Sequence, residues 1–143
     1  MGLLLLKAIV IIRNSYHKEE RLKSRKLIEE VFAGKNSFTQ FPLKLLYKEV
    51  FLPGQPPLQA GVSVSSKKFK KAVHRNRIKR VLREAYRLQR HSLFEACKDS
   101  GRQFALFFIY IAPELPDYHD VYAKAGKLLE RVANLAAVKN DEV

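Results

Sequence analysis

The chain of 143 residues has one cysteine, Cys97, which excludes an intrachain disulfide framework and suits a reducing cytoplasm. It also lacks a hydrophobic run long enough to span a bilayer. Residues 2–12, GLLLLKAIVII, are interrupted by Lys7 and fall far short of the roughly 20 residues a spanning helix needs. No basic segment precedes that stretch, and Arg13-Asn14-Ser15-Tyr16-His17 stands where a signal peptide would carry small cleavage-site residues. An additional strand, a disordered appendage and translation from an upstream start all remain open for it. Internal repeats and low-complexity tracts are absent. With 47% apolar and 29% charged residues, the composition is that of one globular domain, not of a disordered chain.

Recognisable catalytic machinery is missing too. His17, His74, His91 and His119 do not fall at metal-ligand spacings, and Cys97 adds no cluster to them. There is no HExxH, no Walker loop and no local nucleophile signature. Asp117 and Asp120 suit the cap of a helix better than a metal site. The residues therefore offer no protein active site and no metal ligands.

Acids are scarce, 14 against 27 Lys and Arg, and the formal charge is +13. Most of that charge sits in residues 67–90, KKFKKAVHRNRIKRVLREAYRLQR, where eleven Lys or Arg meet one acid, Glu84. So dense a block of cations repels itself until a polyanion neutralises it, and the segment predicts a nucleic-acid partner.

Around this block the periodicity predicts a helix over 24–33, capped by Ser24 and stopped by Gly34, with Leu27, Ile28, Val31 and Phe32 on one face. Strands follow over 43–52 and 60–65, separated by Pro53-Gly54-Gln55-Pro56-Pro57 and able to pair as an antiparallel hairpin. A helix over about 72–98 buries Ile78, Val81, Leu82, Ala85 and Leu88. The stretch 104–111, FALFFIYI, is apolar on both faces and reads as a strand in the middle of a sheet. A last helix carries Val121, Ala125, Leu128, Val132 and Leu135. The order implies an α+β sandwich of helices on one sheet.

Projected at roughly 100° per residue, Arg75, Asn76, Lys79, Arg83, Arg87 and Arg90 share one side of the basic helix. Arg80 lies at its margin, Arg77 is off centre, and Glu84 can pair with Arg80 or Arg87. Solvated surface helices usually mix charge signs, whereas this face is almost wholly positive, which favours RNA or DNA binding. A DNA-reading helix-turn-helix lacks its first helix here, and an anionic membrane surface would need the apolar stripe that the core requires.

The run Arg75-Asn76-Arg77-Ile78-Lys79-Arg80, followed by Leu82-Arg83-Glu84-Ala85, resembles the protein subunit of bacterial ribonuclease P. Gly61-Val62-Ser63-Val64-Ser65, Lys67-Lys68, Ala72-Val73, Arg21-Leu22 and Val31-Phe32 with Gly34 add to the likeness, which covers roughly residues 20–137. The resemblance implies a two-layer α-β sandwich like ribosomal protein S5 domain 2, its basic helix carried in a left-handed βαβ crossover. It implies an endoribonuclease component, cytoplasmic and without a membrane or an obligate protein partner, that binds a catalytic RNA subunit and the 5′ leader of precursor tRNA. The chemistry belongs to the RNA, which holds most of the divalent metal, magnesium. Lys67, Lys68, Lys70, Lys71, Arg75, Asn76, Arg77, Lys79, Arg80, Arg83 and Arg87 are the implied RNA contacts. Ile28, Phe32 and Tyr47 are the implied leader cleft, although periodicity alone would place Phe32 in the core. Residues 1–15 lie outside the family pattern as an extension to a single domain over 16–143, and Lys70-Lys71 stand where the family often has a glycine. A structural RNA-binding protein of the ribosome is the alternative.

Overall fold

The structure, a computed structural model, describes residues 20–137. The extension expected over residues 1–15 lies outside them. Helix α1 (Arg25–Ala33) is followed by strands β1 (Ser37–Gln40), β2 (Leu43–Val50) and β3 (Leu58–Val64). Helices α2 (Ala72–Gln89) and α3 (His91–Ser100) lead into β4 (Gln103–Tyr110), and α4 (Tyr118–Ala137) ends the described chain. Ser24 caps α1 as its side chain accepts from the Leu27 amide, and Gly34 closes it.

The four strands form one sheet in the order β1-β2-β4-β3. The expected β2–β3 hairpin is not formed: β4 lies between them, antiparallel to β2 and parallel to β3. A strand apolar on both faces gains most from the centre of a sheet, where both faces and both edges are covered. The α2–α3 segment makes the crossover that a parallel β3–β4 pair requires.

Strand alternation divides β4 between two cores. Phe104, Leu106, Phe108 and Tyr110 join Leu43 and Leu45 beneath α2, α3 and α4. Ala105 and Phe107 point the other way with Leu46, toward Leu22, Leu27 and Val31 of the α1 side. One face thus carries three helices and the other is partly covered by α1.

Three further differences from the sequence expectation have physical causes. Strand β1 was not expected, because SFTQ shows no apolar alternation; it is a short polar edge paired only with β2. The basic helix breaks at Arg90, which ends α2 and begins α3, instead of running to residue 98. Within α2, Leu88 is exposed while Tyr86 is buried on Phe108 at a centroid distance of 5.8 Å. The buried stripe is centred between Leu82 and Ala85, and Leu88 falls roughly 100° away from it. Cys97, on α3, is fully buried, and that burial pushes its thiol up to about 12.

Gly61 of β3 shapes the less covered face. A Cβ there would stand 2.8 and 2.9 Å from two carbons of the Phe107 ring, so only glycine lets that ring lie against β3. Gly61→Ala is expected to destabilise the fold by about 1–3 kcal/mol through overpacking. Urea unfolding monitored by circular dichroism measures this, and an unchanged midpoint would show that Phe107 moves aside freely.

Candidate nucleic-acid interface

Asn76, Arg77, Arg80 and Arg83 are exposed on α2, and Lys79 is half-buried among them. They form a cationic ridge rotated from the one the helical projection predicts: Arg80, expected at its margin, and Arg77, expected off centre, are exposed, whereas Lys79 and Arg75 are half-buried. Arg90 does not belong to it. Its guanidinium pairs with Glu20 at 3.2 Å and lies over the Phe94 ring, and both charged side chains are 4% exposed. A helical projection gives the angle of a side chain but not what approaches it, and here the N-terminal arm covers that angle.

Two other cations of the ridge are committed locally. Arg87 makes a two-pronged pair with Glu84, from Nε at 3.1 Å and from Nη2 to the second oxygen. The hydrogen bond to Arg87 holds the Glu84 carboxyl below its usual range, and the same bond raises Arg87. Arg75, half-buried, donates from Nη1 to the carbonyls of Phe69 at 2.8 Å and Lys70 at 2.7 Å. It therefore staples the lysine loop to the first turn of α2. Phe69 anchors the same loop from within, buried against Tyr110. Lys67, Lys68, Lys70 and Lys71 are left exposed around an open cavity of about 410 Å³ that His74 and Leu115 also line. Of these, Lys68 is held by its Nζ donating to the Ile111 carbonyl.

On the other sheet face Phe32 is 46% exposed and meets Phe107 edge-on, with centroids 5.0 Å apart. Beside them Arg21, Lys23, Ile28, Gly61, Phe107 and Arg83 line a cavity of about 320 Å³. Three of these are cations, and none of the described residues lining it is acidic. Arg83 belongs both to this cleft and to the ridge, so the two surfaces are continuous around the β3 edge.

Tyr47 must be removed from the cleft. Successive residues of a strand face opposite sides, and Tyr47 shares the side of Leu43 and Leu45, away from α1. It stacks on Phe38 at 4.9 Å, with the Arg131 guanidinium 4.1 Å from the other ring's centre. Its neighbour Lys48 faces α1 and pairs with Glu30 at 3.6 Å. The aromatic that does floor the cleft, Phe107, went unnoticed in the sequence because FALFFIYI has no alternation to mark its faces. The described residues contain no group of three or more His, Cys, Asp or Glu fit to hold a metal ion.

Comparison with known proteins decides the family. Residues 16–133 match the family model described as Ribonuclease P. The chain belongs to the ribonuclease P protein family. The ribonuclease P protein component of Porphyromonas gingivalis (strain ATCC 33277) is 35% identical over 127 residues, covering 87% of this chain and 93% of that protein. The component from Chlorobium phaeobacteroides is 32% identical over 130 residues, covering 83% and 88%. Among solved structures, the ribonuclease P protein of Thermotoga maritima aligns with a TM-score of 0.58 at 25% identity, over 78% of this chain and 96% of that one. Nothing in these likenesses favours the ribosomal alternative. In this chain the α+β fold holds a basic helix against a sheet, and among the described residues no helix is long and apolar enough to cross a membrane.

Proposed function

We propose that this chain is the RNA-binding protein component of a cytoplasmic ribonuclease P, gripping the RNA subunit with α2 and the lysine loop and the 5′ leader of precursor tRNA with the α1 cleft. One observation carries the reading: Arg83 joins an exposed row of Arg and Lys to a cleft whose floor is aromatic. Cations along a path track phosphates of any sequence, and an exposed ring accepts any base, which suits leaders of varied sequence. Ile28 and Phe32 keep their cleft roles, with Phe107 replacing Tyr47. Hydrolysis is assigned to the RNA subunit, whose divalent metal, magnesium, supplies water activation and stabilisation of the leaving oxygen. The chain contributes binding, orientation and relief of phosphate repulsion, as one domain over 16–143 and without an obligate protein partner. We also assign the β3–α2–α3–β4 crossover the left hand of the ribosomal protein S5 domain 2-like fold, on the strength of the family likeness.

Reconstitution with a bacterial ribonuclease P RNA at limiting magnesium tests this. The chain is expected to speed cleavage of precursor tRNA and to favour substrate with a leader over mature tRNA. Phe32→Ala should reduce that preference roughly fivefold or more, the range for losing one stacked base, while affinity for the RNA subunit holds. Unchanged cleavage together with selective binding of ribosomal RNA would replace this reading with the ribosomal one.

A further inference from the structure

Helix α2 lies between the β3 edge and α4, and the start of α4 carries aromatic surface that neither ridge nor cleft uses. Tyr122 is 38% exposed. Tyr118 and Tyr122 stand one turn apart at the start of α4, rings 6.0 Å apart and tilted by 39°. Neither is needed for the core, which α4 enters through Val121, Ala125, Leu128, Leu129, Val132 and Ala136.

The backbone that carries these rings is tied to the basic helix. Gln89 Nε2 donates to the Tyr122 carbonyl at 2.8 Å and to the Ala85 carbonyl at 3.0 Å. Helix α4 comes so close that a Cβ on Gly126 would fall 2.4 Å from the Gln89 Oε1. Tyr118 is near enough to Glu84 and Arg87 for both charges to act on its hydroxyl. Burial and then Glu84 raise that group above its ordinary range, so it stays neutral. The result is a pair of flat, uncharged rings on an anchored backbone, set beside the Glu84–Arg87 pair at the end of the cationic crest. A purely apolar partner would meet that crest unfavourably. An anionic polymer with flat apolar groups satisfies both, and unpaired RNA is such a polymer.

Building on the assignment of the RNA subunit as partner, we infer that Tyr118 and Tyr122 form a stacking platform for unpaired bases of that RNA. The platform lies on the flank of α2 away from the leader cleft, so the helix is used on both sides: phosphates along its crest, RNA-subunit bases on one flank, leader on the other. The platform adds a readout of base exposure to what would otherwise be a charge-only clamp.

The chain has no tryptophan, so Tyr122→Trp installs a single emission reporter. Adding a transcript of a bacterial ribonuclease P RNA should strongly quench it, whereas heparin, a polyanion without bases, should not. Tyr118→Leu combined with Tyr122→Leu should loosen binding of that transcript roughly 10- to 100-fold at fixed salt, with the slope of log Kd on log salt unchanged. The corresponding Phe pair should keep affinity within about twofold, because the ring rather than the hydroxyl stacks. Preference for a leader should not move. Absent quenching at saturating RNA, or a Leu pair that binds like the parent, overturns the platform and leaves the proposed function standing. A parent chain that fails to bind the transcript overturns both.

Discussion

Glu20→Gln is expected to cost the folded state about 3–5 kcal/mol, the usual penalty for removing one partner of a buried ion pair. Glu20 and Arg90 are 3.2 Å apart and both almost wholly out of solvent. The carboxylate offsets the cost of holding the guanidinium charge out of water, and a neutral amide does not. Thermal unfolding should shift down by about 10 °C or more for a domain of this size. Replacing both partners, Glu20→Leu with Arg90→Met, should recover most of the loss, because no charge is then stranded. The pair also has a functional consequence. The chain beyond Glu20 adds to the edge of β3, where the Leu22 amide donates to the Ala60 carbonyl at 2.9 Å. Arg21 and Lys23 on that arm line the cleft proposed above for the leader. Loosening the arm should therefore weaken leader binding at temperatures where the remainder is still folded. A Glu20→Gln protein that melts with the parent would show that water reaches Arg90 and that the pair is dispensable.

What could be read from the residues was whatever depends on local chemistry. Ser24 and Gly34 mark α1 because caps are local hydrogen-bond requirements, and FALFFIYI marks a central strand because only full burial suits it. The basic crest of α2 follows from a period of 3.6 residues. The parts that were not legible depend on which distant segments meet. Whether β2 and β3 pair is decided by β4 entering between them, a choice made across more than forty residues. Arg90 looks like another crest residue until Glu20 arrives from the N-terminal arm. Tyr47 shows how sharp the strand period is: a shift of one residue moves a side chain through the sheet, and a resemblance aligned to within a residue or two cannot assign a face. Phe107 was hidden for the converse reason, since a strand buried on both sides leaves no contrast to read.

The cations of α2 should also prove unequal. Arg77, Arg80 and Arg83 are exposed and free of any local acid among the contacts described, so each can neutralise one RNA phosphate. Replacing all three by Gln should flatten the slope of log Kd on log salt by about 2–3 and weaken RNA-subunit binding roughly 100- to 500-fold near 0.1 M salt. Arg75 works differently, through the two carbonyls it holds at the end of the lysine loop. Arg77→Lys keeps a charge at the crest and should change affinity little. Arg75→Lys also keeps its charge, but its stem is one bond shorter and does not carry a nitrogen to the position from which Nη1 donates to both the Phe69 and Lys70 carbonyls. The loop lysines then lose their fixed placement, and ordering them on binding costs entropy the parent does not pay. Arg75→Lys should thus weaken binding several-fold more than Arg77→Lys at every salt concentration, with the slope preserved. Equal effects of the two substitutions would make Arg75 one more phosphate contact and remove the staple from the account; a larger effect at Arg75 with an intact slope separates loop positioning from charge.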